Sequence, residues 1–266
     1  ALSGTKIFIS GGEHDLSDNI VHLVLARLPD APPGPKGLSL FLVPKFYEDG
    51  TRSAAVCERI EEKMGLHGSP TCVMRFDEAP GWIVGEPGKG LKQSNVVFGY
   101  TRLMVASMAL GAGEAALEIA IPYAKERIQF GSPLSEKQGY THKLIVPNVV
   151  RLAAADAYID EVGELLDSKE EDLQVEGSIG KLFTTEAADR AANDCIQALG
   201  GYGYIAEYPI EQLYRDERVQ RIYEGTNEIN RILIPGLLLR KGIGGRGGEP
   251  ACTAAGGGVV PEKRLL

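Results

Sequence analysis

The chain has 266 residues, of which 44% are hydrophobic and 24% charged, and its formal net charge at pH 7 is -8. This length suffices for one large domain or two ordinary ones, and the composition is typical of a soluble globular protein. The negative charge argues against a nucleic-acid-binding protein, which needs clustered Lys and Arg to neutralise phosphates. No apolar run approaches the roughly 20 residues that cross a bilayer, so we predict no transmembrane segment.

The four cysteines and four histidines are scattered along the chain and form no CxxC pair. Disulfide frameworks and zinc sites need cysteines at closer spacing. We therefore predict reduced thiols, no metal site and a cytoplasmic protein.

The first third of the chain indicates β-structure. Short runs rich in β-branched and aromatic residues are separated by clusters of Gly, Pro, Asp and Ser, which favour turns. The predicted strands cover 5–10, 19–28, 38–45 and 71–78. No helical stretch alternates with them, which argues against a parallel doubly wound sheet and favours an antiparallel sheet pair or a small barrel.

The remainder has the i, i+3, i+4 spacing of apolar residues that is typical of helices. The predicted helices cover 91–127, 135–166, 176–199, 209–222 and a final stretch from near Thr226. Gly131 and Pro133 should end the first helix, Pro147 should kink the second, and Gly200 should stop the third. This pattern predicts long antiparallel helices joined by short loops.

The sequence thus predicts an α+β fold in two domains. An antiparallel β-domain with small barrel-like sheets should cover 1–86, and a C-terminal antiparallel helix bundle should cover 87–242. The segment 243–266 is too rich in glycine to pack, and we predict a disordered tail there.

The stretch "RIYEGTNEINRI" (221–232) places an acidic residue just before a helix. Gly225 permits a backbone bend, and Thr226 is a suitable N-cap. The sequence leaves two interpretations of Glu224 open. It is either an acid favoured by the dipole at the helix start or a general base held in an apolar pocket.

Two further stretches are ambiguous when each is taken alone. "IQALGGYGYIAEYPIEQLYRD" (196–216) is either a glycine helix stop with aromatic packing or a close backbone approach to a ligand. "AKERIQFGSPLSEKQ" (124–138) is either a charged helix end or a binding segment.

Together with "GTKIFIS" (4–10), the motifs "ERIQFG", "LGGYGY" and "YEGTNEI" decide between these interpretations. In their order and spacing they resemble the acyl-CoA dehydrogenase family of flavoproteins, and the resemblance runs from about residue 2 to residue 240. It implies an oxidoreductase of fatty acid and lipid metabolism with FAD as cofactor. It also implies an acyl-CoA substrate, electron-transfer flavoprotein as electron acceptor, and a homo-oligomer, either a dimer or a tetramer.

The resemblance also implies roles for individual residues. Glu224 would remove the α-proton of the acyl-CoA thioester while the β-hydrogen leaves as hydride to flavin N5. Some relatives place this base just before the arginine of an earlier helix, where this chain has Thr101, so the base falls on Glu224 alone. Arg102 and Gly225 would contact the substrate.

The implied cofactor contacts fall into three groups. Phe8 (where Trp is commoner) and Ser10 would meet the isoalloxazine ring, and Thr226 and Glu228 would lie against the flavin nucleotide. The positions that would bind the pyrophosphate and adenosine are Arg127, Gln129, Phe130 and Gln138. A neighbouring subunit would contact the same cofactor through Gln197, Gly200 and Gly201.

The family's N-terminal helical domain and its TEPxAGSD-like loop have no counterpart in this sequence. We therefore expect the chain to be a fragment of a longer protein. Two alternatives stay open beside a dehydrogenase: an acyl-CoA oxidase-type relative that uses O2, and an inactive truncated family member. The retained Glu224 argues against a monooxygenase, which needs no α-proton base.

Overall fold

The computed structural model describes residues 1–168 and 172–244, with side chains up to residue 242. Antiparallel strands occupy the first part and helices the rest, which confirms the predicted α+β fold. The last strand of the first part ends at Val84 and the first helix begins at Gly90. The predicted domain boundary at residues 86 and 87 falls within this connection. Of the predicted tail, 243–266, residues 245–266 lie outside the described part of the chain.

Six strands form two antiparallel three-stranded sheets. The strands are β1 (Leu2–Ser10), β2 (Val21–Arg27), β3 (Leu38–Pro44), β4 (Ala55–Ile60), β5 (Thr71–Ala79) and β6 (Trp82–Val84). One sheet has the order β1-β5-β4 and the other β2-β3-β6. Their shared core contains Val24, Val43, Met74 and Phe76. The four predicted strands are confirmed. The sequence analysis missed β4, in which two of six residues are charged, and β6, which has only three residues.

The helical part begins with one long helix and a small hairpin. Its elements are α1 (Gly90–Glu126), β7 (Ile128–Gln129), β8 (Ser132–Pro133), α2 (Gln138–Tyr140), α3 (Val146–Asp167), α4 (Gln174–Leu199), α5 (Gly201–Tyr204), α6 (Ile210–Glu217) and α7 (Asn227–Gly244). The predicted first, third and last helices correspond to α1, α4 and α7. The predicted fourth helix is α6 followed by a 3-10 turn, Arg218–Arg221.

The predicted helix over 135–166 starts later than expected. A 3-10 turn, Leu134–Glu136, occupies its first residues, and the helical run then extends without a break through α2, a π-helical turn (Thr141–Ile145) and α3. Pro147 is the second residue after the π-helical turn, and Ile145 at the end of that turn has φ -107° and ψ -64°. This irregularity lies where the proline, which has no backbone N–H to donate, was predicted to disturb the helix.

Small residues allow α1, α3 and α4 to pack closely. Ala116, Ala120 and Ala191 are fully buried at this contact. A Cβ added to Gly113 would lie 2.7 Å from a methyl carbon of Leu152. A larger residue at this position would therefore push α1 and α3 apart.

Within the part of the chain that the structure describes, α1 alone is long and apolar enough to cross a membrane, and 44% of its most apolar window is buried. Core helices of globular proteins meet the same criteria. Buried residues of α1, among them Ala116, Leu117 and Ala120, pack against α3 and α4.

The β-sheets and the helices meet at two places. The first residue of α1, Gly90, lies so close to β3 that an added Cβ would be 2.5 Å from the Leu40 nitrogen. On the other side, Asp216 of α6 accepts a 2.6 Å hydrogen bond from the Leu66 N–H. The first contact holds the start of α1 against β3, and the second joins α6 to the loop before β5.

Candidate active site

The turn before α7 has an unusual backbone conformation. Glu224 has φ 55° and Gly225 has φ 84°, so two consecutive residues are left-handed. Glycine adopts this conformation without steric cost, whereas a glutamate does so only when its surroundings stabilise it. Thr226 then caps α7, because its Oγ1 accepts a 3.3 Å hydrogen bond from the Ile229 N–H. The predicted bend and N-cap are both confirmed.

Buried side chains hold this turn through its carbonyl groups. Arg102 of α1 donates from Nε to the Glu224 carbonyl oxygen at 3.1 Å. Lys181 of α4 donates from Nζ to the Gly225 carbonyl oxygen at 2.9 Å, and Asn230 of α7 donates to the same oxygen at 2.9 Å. Hydrogen bonds from charged donors are stronger than those between neutral groups. Three helices thus stabilise the strained conformation.

The setting of the Glu224 carboxylate is more polar than the predicted apolar pocket. Its side chain is half-buried, and Thr101 Oγ1 donates a 2.7 Å hydrogen bond to Glu224 Oε2. Arg102 is buried beside it, and burial lowers the pKa of this guanidinium although the neighbouring Glu224 opposes the shift. The carboxylate is therefore oriented by a hydroxyl group and lies next to a buried cation.

Lys181 belongs to this site and was missed by the sequence analysis. It is fully buried, and its Nζ also donates to Asn227 Oδ1 at 2.8 Å. Burial, together with the nearby charge of Arg102, lowers its pKa to about 8. The available signal was its position on α4, because Ser178, Lys181 and Thr185 share one helix face that is otherwise formed by small and apolar residues.

Phe8 and Ser10 lie on β1 at an irregular part of the strand. The pairing of β1 with β5 shifts register between Lys6 and Ile9, and within this bulge Phe8 has φ 59° and a side chain that is 70% exposed. A strained backbone that presents an aromatic ring to solvent is typical of a binding position.

Ser10 lines a cleft of about 470 Å³ between the sheets and the start of α1. Phe98 of α1 lines the same cleft, and the Arg102 guanidinium lies 5.8 Å from the centre of its ring. Since Arg102 binds the Glu224 carbonyl, the cleft adjoins the Glu224 turn. Ser10 thus lies on the sheet side of this region, and Phe8 lies two residues earlier on β1.

A second cleft, of about 460 Å³, lies where α1 ends. It brings together five predicted cofactor residues: Arg127, Gln129, Gln197, Gly200 and Gly201. The Arg127 guanidinium lies 6.0 Å from the centre of the Tyr202 ring. Nearby in the sequence, Phe130 is 95% exposed with φ 51° in the turn between β7 and β8, and Gln138 is exposed at the start of α2.

The two clusters are far apart along α1. The 25 residues from Arg102 to Arg127 rise by about 1.5 Å each, so the two side chains start roughly 37 Å apart. Thr226 and the exposed Glu228 lie with the Glu224 turn, at the Arg102 end. A hydrogen bond from its own backbone N–H lowers the pKa of Glu228. One chain therefore does not bring all the predicted cofactor residues together.

The described residues contain no group of three or more His, Cys, Asp or Glu side chains that could hold a metal ion. Cys57, Cys72 and Cys195 are free thiols, while Cys252 lies outside the described residues.

Comparison with known proteins places this geometry in a family. Residues 88–236 match the family model described as the acyl-CoA dehydrogenase C-terminal domain. The chain belongs to the acyl-CoA dehydrogenase family. It is 39% identical over 241 residues to an acyl-CoA dehydrogenase of Bacillus subtilis, and this match covers 90% of the chain and 60% of the relative.

Solved structures of the family have the same fold. Butyryl-CoA dehydrogenase from Megasphaera elsdenii matches with a TM-score of 0.78 and 34% identity, over 90% of this chain and 60% of that one. An acyl-CoA dehydrogenase from Bacillus anthracis in complex with FAD matches with a TM-score of 0.78 and 29% identity, over 92% and 43% of the two chains. This family member thus spans at most about three fifths of the length of these relatives.

Proposed function

We propose that this chain contributes the catalytic base and most of the cofactor contacts of an FAD-dependent acyl-CoA dehydrogenase. The observation that carries the proposal is the Glu224 turn, in which Arg102 and Lys181 bind consecutive carbonyl groups and Thr101 orients the carboxylate. Membership of the family supports acyl-CoA dehydrogenation as the reaction class.

Glu224 acts as a general base in this proposal. Thr101 holds one carboxylate oxygen, and the carboxylate takes the α-proton of the acyl-CoA thioester. The left-handed turn fixes the direction in which this carboxylate projects. A change in the φ angle of Glu224 would break the hydrogen bonds that Arg102 and Lys181 donate to the carbonyl groups of the turn. When bound, FAD supplies the acceptor for the hydride that leaves the neighbouring β-carbon.

The residues present fit FAD in two respects. On the sheet side, the exposed ring of Phe8 and the hydroxyl group of Ser10 suit a flat heterocycle. At the far end of α1, Arg127 and the amide of Gln129 suit a pyrophosphate and its attached nucleoside, and Gly200 lets the backbone approach closely. The exposed side chains of Phe130, Gln138 and Gln197 complete the proposed contacts at that end.

The separation of roughly 37 Å along α1 supports a homo-oligomer. The cofactor that lies against Phe8, Ser10, Thr226 and Glu228 of one chain would contact Arg127, Gln129 and the Gln197–Gly201 segment of a second chain. We propose electron-transfer flavoprotein as the partner that reoxidises the enzyme, and a dimer or tetramer as the assembly.

The test is the visible spectrum of the purified, FAD-supplied protein before and after anaerobic addition of acyl-CoAs of increasing chain length. We expect oxidised-flavin bands that bleach with at least one acyl-CoA. The Glu224→Gln variant should keep bound FAD and the fold but lose bleaching. Glu118→Gln, the same substitution at an exposed residue of α1, should behave as the wild type.

Three other outcomes contradict parts of the proposal. Bleaching of Glu224→Gln near the wild-type rate would remove Glu224 as the base. Hydrogen peroxide produced at each turnover in air would identify an oxidase. A protein that stays colourless with FAD would mean that this chain alone does not form the cofactor site.

A further inference from the structure

Lys181 is the largest fully buried side chain among the described residues. An ammonium group without compensating partners is costly to bury. No carboxylate of the described residues lies within salt-bridge distance of Lys181. Its recorded partners are instead the Gly225 carbonyl oxygen at 2.9 Å and Asn227 Oδ1 at 2.8 Å. The charge is therefore directed at the turn that carries Glu224.

These two contacts fall on both sides of Thr226. Gly225 is the second left-handed residue of the turn, and Asn227 is the first residue of α7. Asn227 is itself fixed, because its Nδ2 donates to Thr185 Oγ1 of α4 at 3.0 Å. Lys181 thus ties the turn and the start of α7 to one point on α4.

We propose that the charged Lys181 is a positioning residue, which keeps the Glu224 turn in its left-handed conformation and so aims the catalytic carboxylate. The part of this inference that concerns catalysis rests on the proposed function. The part that concerns the conformation of the turn does not.

The charged groups around Lys181 come from several elements. Arg102 of α1 and Arg221 of the 3-10 turn disfavour its protonation, whereas Glu224 and Glu228 favour it. Glu217 at the end of α6 is also close enough to respond to its charge. Burial is the largest influence and lowers the pKa of Lys181 to about 8. Above that pH the neutral amine keeps N–H donors but loses the charge that strengthens its hydrogen bonds.

The experiment compares Lys181→Met with Lys241→Met, the same substitution at an exposed lysine of α7. The first readout is amide hydrogen exchange of residues 222–230 in the protein without FAD or acyl-CoA. The second is the rate of flavin reduction by acyl-CoA in the FAD-loaded protein. Loss of a charged hydrogen bond should lower protection of the turn and the reduction rate each by roughly tenfold or more in Lys181→Met. FAD affinity and the protection of 187–199 on α4 should stay unchanged, and Lys241→Met should match the wild type.

The pH dependence distinguishes a charge from a space-filling side chain. Protection of the turn in the wild type, corrected for intrinsic exchange at each pH, should fall as pH rises through about 8. The rate of flavin reduction should fall over the same range. Lys181→Arg should show a smaller fall, because arginine stays protonated and Glu217 is then the group that titrates near this pH. If Lys181→Met does not fold, the comparison of the wild type with Lys181→Arg still tests the inference.

The inference would be overturned if turn protection and the rate of flavin reduction in Lys181→Met were within about twofold of those in Lys241→Met. A twofold change is well below the effect expected from the loss of one charged hydrogen bond. A pH dependence of turn protection that is equal in the wild type and Lys181→Arg would do the same. If the wild type reduces no flavin with any acyl-CoA, the proposed function fails. Hydrogen exchange still decides whether Lys181 holds the turn.

Discussion

Thr101 and Glu224 are 123 residues apart in the sequence, and a 2.7 Å hydrogen bond joins Thr101 Oγ1 to Glu224 Oε2. The neighbouring Arg102 binds the backbone of the same glutamate. Two adjacent residues of α1 therefore fix the base, one through its carboxylate and one through its carbonyl. Each contact can be removed separately.

Thr101→Val should slow flavin reduction by about tenfold, because the carboxylate loses a charged hydrogen bond that orients it. Thr101→Ser keeps the hydroxyl group and is the matched control, which should stay near the wild-type rate. The measurement is anaerobic stopped-flow absorbance with saturating acyl-CoA. Equal rates for the two variants would show that the hydroxyl group does not orient the base.

Gly225→Ala should destabilise the protein by about 1 kcal/mol and slow flavin reduction, because alanine resists a left-handed backbone. An added Cβ would meet nothing closer than 3.5 Å, so the effect comes from the φ of 84° and not from a clash. Gly111→Ala is the control, since this helical glycine has no atom within 4 Å of an added Cβ. It should be neutral or gain up to about 1 kcal/mol. Urea unfolding measures both, and equal effects would contradict the prediction.

Glu217 should make the stability of the protein depend on pH. It is 1% exposed, and neither of its carboxylate oxygens has a hydrogen-bond partner among the described residues. Burial, reinforced by Asp189, raises its pKa from 4.5 to about 8. Because the folded pKa is the higher one, its contribution to stability is complete below pH 4.5 and is lost as pH rises through about 8.

Glu217→Gln removes this dependence. The unfolding free energy of the wild type should fall relative to that of the variant by roughly 4 kcal/mol between the two pKa values. Glu118→Gln at an exposed position should run parallel to the wild type. Denaturant titrations across this pH range measure the difference, and parallel curves for all three proteins would refute it.

A site shared between two chains predicts complementation. Arg127→Ala should weaken FAD binding, and Glu224→Gln should abolish flavin reduction by acyl-CoA. A mixed dimer of these two variants contains one site with both wild-type residues if they come from different chains. A random mixture should then recover about a quarter of the wild-type rate. No recovery, despite proof of mixed dimers by mass spectrometry, would place both residues of a site on one chain.

The sequence determined the features that depend on neighbouring residues. The strand and helix patterns gave the α+β fold, Gly200 ended α4, and Thr226 capped α7. These follow from short-range periodicity and backbone preference, which are local properties. The motifs that resemble the family were likewise contiguous, so they could be found before the residues were brought together in space.

The tertiary structure decided what depends on distant partners. The pattern of α4 does not say that Lys181 is buried, because the carbonyl that accepts its hydrogen bond comes from a turn 44 residues away. The backbone preference of glutamate also does not predict φ 55° at Glu224, because residues with a Cβ disfavour the left-handed conformation. The cost is offset by contacts from α1, α4 and α7, and only the packing of these helices brings such contacts to one turn.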